Sequence, residues 1–240
     1  MKTEQDNLLS SVKNTLRILR SFSMEQPQRG VRELAEELGI SKSSVQRILV
    51  TLASEGFVKK NIETNKYELG VSVLQLSSIV LGHLDLHNEA LPIIKNLVEK
   101  CKETSHLAVL EDLQIIYLCK VEGLNLEKVI TYSGLHNPSY CTSSGKLLLA
   151  YGDPSQVELV INRGLKQYTP NTITDPSKFR QELTNIYERG YSIGNEELRQ
   201  GVTSISAPIR NYAGQVVAAI NFVGPSHRFQ HSVLTFWQQN

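Results

Sequence analysis

Ser41, Lys42, Ser43, Ser44, Gln46 and Arg47 bring hydroxyl, ammonium, carboxamide and guanidinium groups together within two helical turns. A carboxamide can pair bidentately with adenine and a guanidinium with guanine, whereas hydroxyls and lysine meet phosphate oxygens more readily. The set suits contact with duplex DNA, and Lys59, Lys60 and Lys66 add cations a little further along. The competing reading is a plain solvated helix face. A second set is Thr142-Ser143-Ser144-Gly145. If it opens a helix, its unpaired backbone N–H groups and hydroxyls could hold a carboxylate; Thr142 or Ser143 could equally act as the helix cap alone.

Other reactive types lack partners in sequence. His106 with Cys141, or His83 with His87 four residues on, could begin a zinc site, but no further ligand stands in a fitting place, so no metal or other cofactor is expected. The adjacent carboxylates Glu196 and Glu197 have no histidine or metal cluster beside them. There is no Gly-x-Ser-x-Gly elbow, phosphate loop or Gly-x-Gly-x-x-Gly, so catalytic residues are expected to be absent.

To hold the first set outward the chain needs a helix with an apolar opposite face, and Val45, Ile48, Leu49 and Leu52 supply it at helical spacing. Ser41 can cap it. Ahead of it, Val31, Leu34, Ala35 and Leu38 predict a shorter helix ended by Gly39, and together the two make a helix-turn-helix. An amphipathic helix is predicted over 12–22, with Val12, Leu16, Ile18, Leu19 and Phe22 inward. After Gly56, the segments around Phe57-Val58-Lys59-Lys60 and Lys66-Tyr67-Glu68-Leu69-Gly70 read as a hairpin, or wing, in which the lysines reach toward DNA and Tyr67 packs on the helices. Leu74, Leu76, Ile79, Val80 and Leu81 predict a linking helix with a break at Gly82, and another helix follows over about 88–102.

Beyond it, strands are predicted at 106–111, 114–121, 127–132, 202–209 and 216–223, and helices at 144–150, 155–162 and 176–189. The alternation has no regular βαβ rhythm, so the second domain reads as α+β with an antiparallel sheet. The expected division is 1–70, a winged helix-turn-helix; 71–87, a linker helix; and 88–240, an effector-binding domain.

The 240 residues suffice for two modest cores, and 40% are hydrophobic. No apolar run approaches the roughly 20 residues a membrane-spanning helix needs. The N-terminus is polar, unlike a secretory signal, and a cytoplasmic location is expected. Three cysteines, Cys101, Cys119 and Cys141, lack a CxxC pair and suggest buried thiols. The formal net charge is only +1, yet 41–60 carries four cations against Glu55 alone, so the positive charge is local.

On these residues the chain resembles the IclR family of bacterial transcriptional regulators. The stretch from Val31 to Leu49, with Leu34-Ala35-Glu36-Glu37-Leu38-Gly39-Ile40-Ser41 at its centre, looks like that family's helix-turn-helix, and Tyr67-Glu68-Leu69-Gly70 like its wing. Thr142-Ser143-Ser144-Gly145-Lys146 resembles its glycine-lysine helix. Arg189-Gly190-Tyr191, Glu196-Glu197, Gly201-Val202 and Ala207-Pro208-Ile209 match its C-terminal signature.

The resemblance implies a winged helix, a linking helix and a GAF-like effector domain, assembled as dimers or dimers of dimers, on operator DNA whose affinity responds to a small organic acid or aromatic metabolite. It places the effector against Ser143, Ser144, Gly145, Gly194, Ser204, Asn221 and Val223. Relatives that bind a short keto acid carry an aspartate at Gly194, a cysteine at Ser204 and serines at Asn221 and Val223. The differences imply a larger or differently shaped ligand than glyoxylate or pyruvate. The chain ends at Trp237-Gln238-Gln239-Asn240, short of the C-terminal helix usual in such proteins. The alternatives are a dimerisation module that never touches DNA and a metabolite-binding enzyme.

Overall fold

The computed structural model describes residues 8–82, 85–125, 131, 134 and 136–229, and the chain divides into two compact units, Met1–His83 and Leu84–Asn240.

The first unit runs α1 (Ser10–Arg20), α2 (Val31–Leu38), α3 (Lys42–Ser54), β1 (Val58–Lys60), β2 (Tyr67–Leu69) and α4 (Ser72–Gly82). Ile18, Leu34, Ala35, Val45, Leu49, Leu52, Val58 and Tyr67 form its core. Gly39 stops α2 with φ 66°, a left-handed conformation that costs glycine little, and the chain turns there into α3. Strands β1 and β2 pair antiparallel, Lys60 opposite Tyr67, and Tyr67 exchanges two backbone hydrogen bonds of 2.8 Å with Arg29 on its other edge. The wing is thereby sewn to the segment that leads into α2.

Helix α1 departs from expectation. Ile18 is fully buried, but Val12 and Leu16 are each 52% exposed. The periodicity of the helix is correct, yet α2 and α3 cover only the stripe through Ile18, and the stripe through Val12 and Leu16 lies open. Leu74, Leu76, Ile79 and Val80 of α4 are exposed as well.

The second unit runs α5 (Asp85–Cys101), β3 (Thr104–Glu111), β4 (Gln114–Val121), β5 (His136–Pro138), a 3-10 turn (Ser139–Cys141), α6 (Ser143–Tyr151), α7 (Pro154–Arg163), α8 (Pro176–Arg189), β6 (Ser192–Asn195), β7 (Val202–Arg210), β8 (Val216–Pro225) and α9 (Ser226–Arg228). The six strands form one antiparallel sheet in the order β5-β4-β3-β8-β7-β6. Helix α5 covers one face, packing Ala90, Ile94 and Val98 on Leu107, Ile205, Ala218, Ile220 and Phe222. Helices α6, α7 and α8 cover the other, where Phe179, Leu183 and Ile186 of α8 and Leu147 of α6 meet Ala108, Ile115, Tyr117 and Ala219. Each such buried side chain stabilises by roughly 2 kcal/mol.

The sheet differs from expectation at its short strands. Neither β5 nor β6 shows a run of β-branched or aromatic residues, and both are held by pairing with longer neighbours. The strand expected at 127–132 lies largely outside the described residues. Between β3 and β4 the register slips: Leu107 faces Cys119, but Ala108 faces Tyr117. Leu118 is the extra residue of a β-bulge, so Ile115 and Tyr117 join the face under α6 while Cys119 turns to the face under α5.

Candidate functional site

The first candidate surface is the exposed side of α3. Val45, Leu49 and Leu52 point into the core, which leaves Lys42, Ser43, Ser44, Gln46 and Arg47 exposed on the first two turns. Ser41 accepts from the Ser44 N–H at 3.2 Å as the helix cap, and its hydroxyl is also within 3.1 Å of Ser43 Oγ and 2.8 Å of Ser44 Oγ. The three serines thus satisfy one another and the helix start. Lys42 and Arg47 carry the charge, and Gln46 the one carboxamide.

In the wing, Lys59 and Lys60 are exposed, and the Lys60 ammonium lies 5.9 Å from the Tyr67 ring centroid. Lys66 differs from its neighbours: its Nζ is 2.7 Å from Glu33 Oε1 on α2. That bond is the main reason the Glu33 carboxyl is held below its usual range, and a second is the Gly30 N–H that Glu33 accepts at the start of α2. Lys66 therefore also ties the wing to α2. Gln28 bonds Glu68 and Thr64 across the same gap, and the buried Arg29 pairs with Glu37. A cavity of about 730 Å³ opens beside these residues, lined mainly by Glu25, Glu33, Glu36, Glu37, Arg29 and Lys66. Tyr67 packs as expected, 2% exposed, but its Oη also accepts from Gln46 Nε2 at 3.3 Å, a link the sequence did not signal.

The second candidate site is the sheet face under the start of α6. Gly194 faces Ser204, Ser204 faces Val223, Ser192 faces Ser206, and Ser206 faces Asn221, so these side chains share one face of β6, β7 and β8. Ser143, Ser144 and Gly145 are fully or nearly fully buried above them. Ser206 Oγ donates to Ser143 Oγ at 2.7 Å, and Ser143 Oγ donates to Ser204 Oγ at 2.7 Å. With the Ser206 proton so used, the 3.2 Å contact between Ser144 and Ser206 has Ser144 as donor. The chain of hydroxyls therefore runs Ser144 to Ser206 to Ser143 to Ser204, and the Ser204 proton is left over. Ser192 Oγ, fully buried on the same face, has no partner among the described residues.

Three expected members behave differently from one another. The Gly145 N–H is taken by Thr142 Oγ1 at 3.2 Å, the cap of α6, so the N–H groups of Ser143 and Ser144 are the ones left for a ligand. A Cβ on Gly145 would lie 2.1 Å from Ser139 O, so this glycine is a packing requirement. Asn221 is engaged: its Oδ1 accepts from His106 N at 3.1 Å and from His106 Nδ1 at 2.9 Å. That leaves His106 Nε2 to accept from Thr131 Oγ1 at 2.7 Å. The imidazole stacks on Tyr117 with centroids 4.2 Å apart, and burial above all holds it down to about 4, hence neutral. His106 is thus occupied at both nitrogens. His87 lies beside Asn88, and His83 falls outside the described residues.

Lys146, the next residue of α6, turns away from the serines. Its Nζ donates to Ile193 O at 2.8 Å and to Glu197 Oε1 at 2.5 Å, with Glu182 at 3.5 Å, where Arg189 also binds. The same side chains edge a cavity of about 400 Å³. Burial pushes the Glu197 carboxyl up, opposed by Lys146, and pushes the nearby Cys141 thiol up to about 12. Glu196 takes the Gly201 N–H at 2.9 Å. Sequence reasoning missed Ser192, Ser206 and the Glu182-Arg189 pair. The alternation Ser204-x-Ser206 within one strand was the available signal for the first two.

Both surfaces can be set beside known proteins. Residues 11–61 match the profile of the IclR helix-turn-helix domain, and residues 78–238 match that of the bacterial transcriptional regulator IclR C-terminal domain. The HTH-type transcriptional regulator KdgR of Escherichia coli is 31% identical over 96% of this chain and 88% of its own. A solved IclR transcriptional regulator from Alicyclobacillus acidocaldarius superimposes with TM-score 0.84 at 27% identity, covering 93% of this chain and 91% of that one. An IclR homologue from Microbacterium hydrocarbonoxydans, solved in complex with 4-hydroxybenzoate, does so with TM-score 0.80 at 26% identity, covering 94% and 92%. A recognition helix with its hairpin, a sheet with its capped helix and these matches along both units agree, and the chain belongs to the IclR family of bacterial transcriptional regulators.

Proposed function

We propose that this regulator reads its operator with Lys42, Ser43, Ser44, Gln46 and Arg47 of α3, grips the backbone with Lys59 and Lys60 of the wing, and changes operator affinity when an organic acid enters under α6. The observation that carries the reading is the solvent-facing first half of α3, whose cationic and amide groups point outward while Val45 and Leu49 anchor its back. Ser41 acts mainly as the cap, and Lys66 mainly as a strap.

The effector reading rests on donors. The N–H groups of Ser143 and Ser144, the Ser204 proton and the unpartnered Ser192 hydroxyl are gathered at the start of α6 and the strands beneath it, where Lys146 is turned away to Glu197. Such a set suits a carboxylate. The 4-hydroxybenzoate bound to a structural relative favours an aromatic acid, consistent with a ligand larger than glyoxylate or pyruvate. Gly194 and Val223 bring no polar group, and Asn221 contributes by way of His106.

A second copy of the chain completes the reading. The open apolar faces of α1 and α4 are the surfaces for it, and a two-fold pair fixes half-site spacing, so a ligand that favours one arrangement must alter DNA affinity. We read the protein as a cytoplasmic regulator and not as an enzyme, supported by its similarity to transcriptional regulators along both units. No helix among the described residues is long and apolar enough to cross a membrane. The test is to select duplexes from a random pool, with and without a panel of aliphatic and aromatic carboxylic acids. A palindromic site whose retention changes with one acid is expected; no enrichment over the starting pool would overturn the proposal.

A further inference from the structure

Gln46 is exposed on α3, yet its amide is tethered, because Nε2 donates to Tyr67 Oη at 3.3 Å. Tyr67 is about as firmly placed as a residue in this unit can be. Its ring is 2% exposed in the core, its backbone pairs with Lys60 in the hairpin, and it exchanges two 2.8 Å bonds with Arg29. The position of Oη is therefore set by the fold before any DNA arrives.

The direction of the bond matters. One N–H of Gln46 is given to Tyr67, so the other N–H and the carbonyl oxygen face outward as one donor and one acceptor. Adenine presents the complement, acceptor N7 and donor N6, in the major groove, whereas guanine presents two acceptors there. An amide held the other way round would offer two donors and favour guanine. Biasing a three-torsion side chain in advance also lowers the ordering cost that weakens readout by a free glutamine.

We infer that Tyr67 is a specificity-determining residue of the operator site, one that touches no base itself and positions Gln46 to read adenine. The inference rests on the operator reading proposed above and adds to it a role for a buried wing residue.

The test is binding of the full chain to its selected duplex and to the duplexes substituted at each position, for wild type, Tyr67→Phe, Gln46→Ala, Gln46→Asn and the double variant Y67F/Q46A. Wild type is expected to prefer adenine at one position per half-site, and Gln46→Ala to lose that preference. Tyr67→Phe should relax the same position by about 3- to 10-fold, the worth of one hydrogen bond, while preferences elsewhere and the salt dependence of binding stay as in wild type. Adding Tyr67→Phe to Gln46→Ala should change nothing more. Gln46→Asn, at an exposed position where folding is not at stake, is too short to span from Oη to a base and should also lose adenine. An adenine preference as strong as in wild type for Tyr67→Phe or for Gln46→Asn, or a Tyr67→Phe effect spread evenly over all positions, would overturn the inference while leaving the operator reading intact. Failure of wild type to select any duplex would remove both.

Discussion

Lys146 Nζ sits 2.5 Å from Glu197 Oε1, with the two side chains 1% and 6% exposed, so a buried cation and a buried anion join α6 to the end of β6. Each is tolerable in the interior because the other is there. Removing one strands the other, which typically costs about 3–5 kcal/mol, whereas replacing both by apolar groups of similar size is often close to neutral. Lys146→Met should lower the unfolding free energy of the second unit by that amount in urea, and Lys146→Met with Glu197→Leu should recover most of it. A double variant no better than the single would mean that the pair is not what Lys146 contributes.

The pH dependence of the pair has a definite sign. Burial raises the Glu197 carboxyl in the folded protein, so the folded state binds the extra proton and stability falls as pH rises through the shifted value. Without Lys146 that rise is opposed only by the backbone hydrogen bond at Asn195. The deficit of Lys146→Met relative to wild type should therefore widen as pH rises above the ordinary carboxylate range, as read from paired melts.

His106 runs the opposite way. Its imidazole is held at about 4, against 6.5 for the free side chain, so the unfolded chain binds the proton first. Its stabilising contribution, up to about 3 kcal/mol, is complete above pH 6.5 and is lost as pH falls toward 4. His106→Asn should flatten stability against pH across that window in urea titrations. Equal slopes for variant and wild type would show that other groups dominate acid unfolding.

The nine DNA-facing candidates should separate by mechanism. Arg47→Ala is expected to cost about 1–3 kcal/mol on the selected operator and little on random duplex. Lys59→Ala should weaken both alike and lower the salt slope by about one. Lys66→Ala should do much less than Lys59→Ala, because Glu33 already holds that ammonium. Filter binding between low and physiological salt resolves all three, and a Lys66 effect as large as that of Lys59 would count against the strap.

The exposed stripes of α1 and α4 should be where copies meet. Val12→Glu with Ile79→Glu places charge on faces that are 52% and 54% exposed in the single chain, so folding should be spared. Light scattering should show the double variant at half the mass of wild type or less. An unchanged mass would move the interface elsewhere.

How far these features were legible depended on their range. Helix periodicity, the Ser41 cap and the Gly39 stop are local, and α2, α3 and α8 could be read from their own residues. Val12 and Leu16 show the limit: spacing identifies an apolar stripe without saying whether this chain covers it. Contacts between distant residues had no signal in local spacing. Gln46 meets Tyr67 across 21 positions, Ser143 meets Ser204 across 61, and His106 meets Asn221 across 115, each brought together by strand order and register. The tie from Lys66 to Glu33 was hidden for the same reason, since the charge was visible and the partner 33 positions back was not.

Leu118 has an effect larger than its own side chain. Because it is the odd residue in β4, everything before it along that strand changes sides, and Tyr117 comes to lie beneath the His106 ring. Were it taken into the ladder instead, the strand would pair evenly from end to end, yet Tyr117 would swap faces with its neighbour and the imidazole would lose its floor. The regularity of the strand and the packing of the face under α6 are thus in conflict at one position, and an irregular count is what lets the aromatic wall exist.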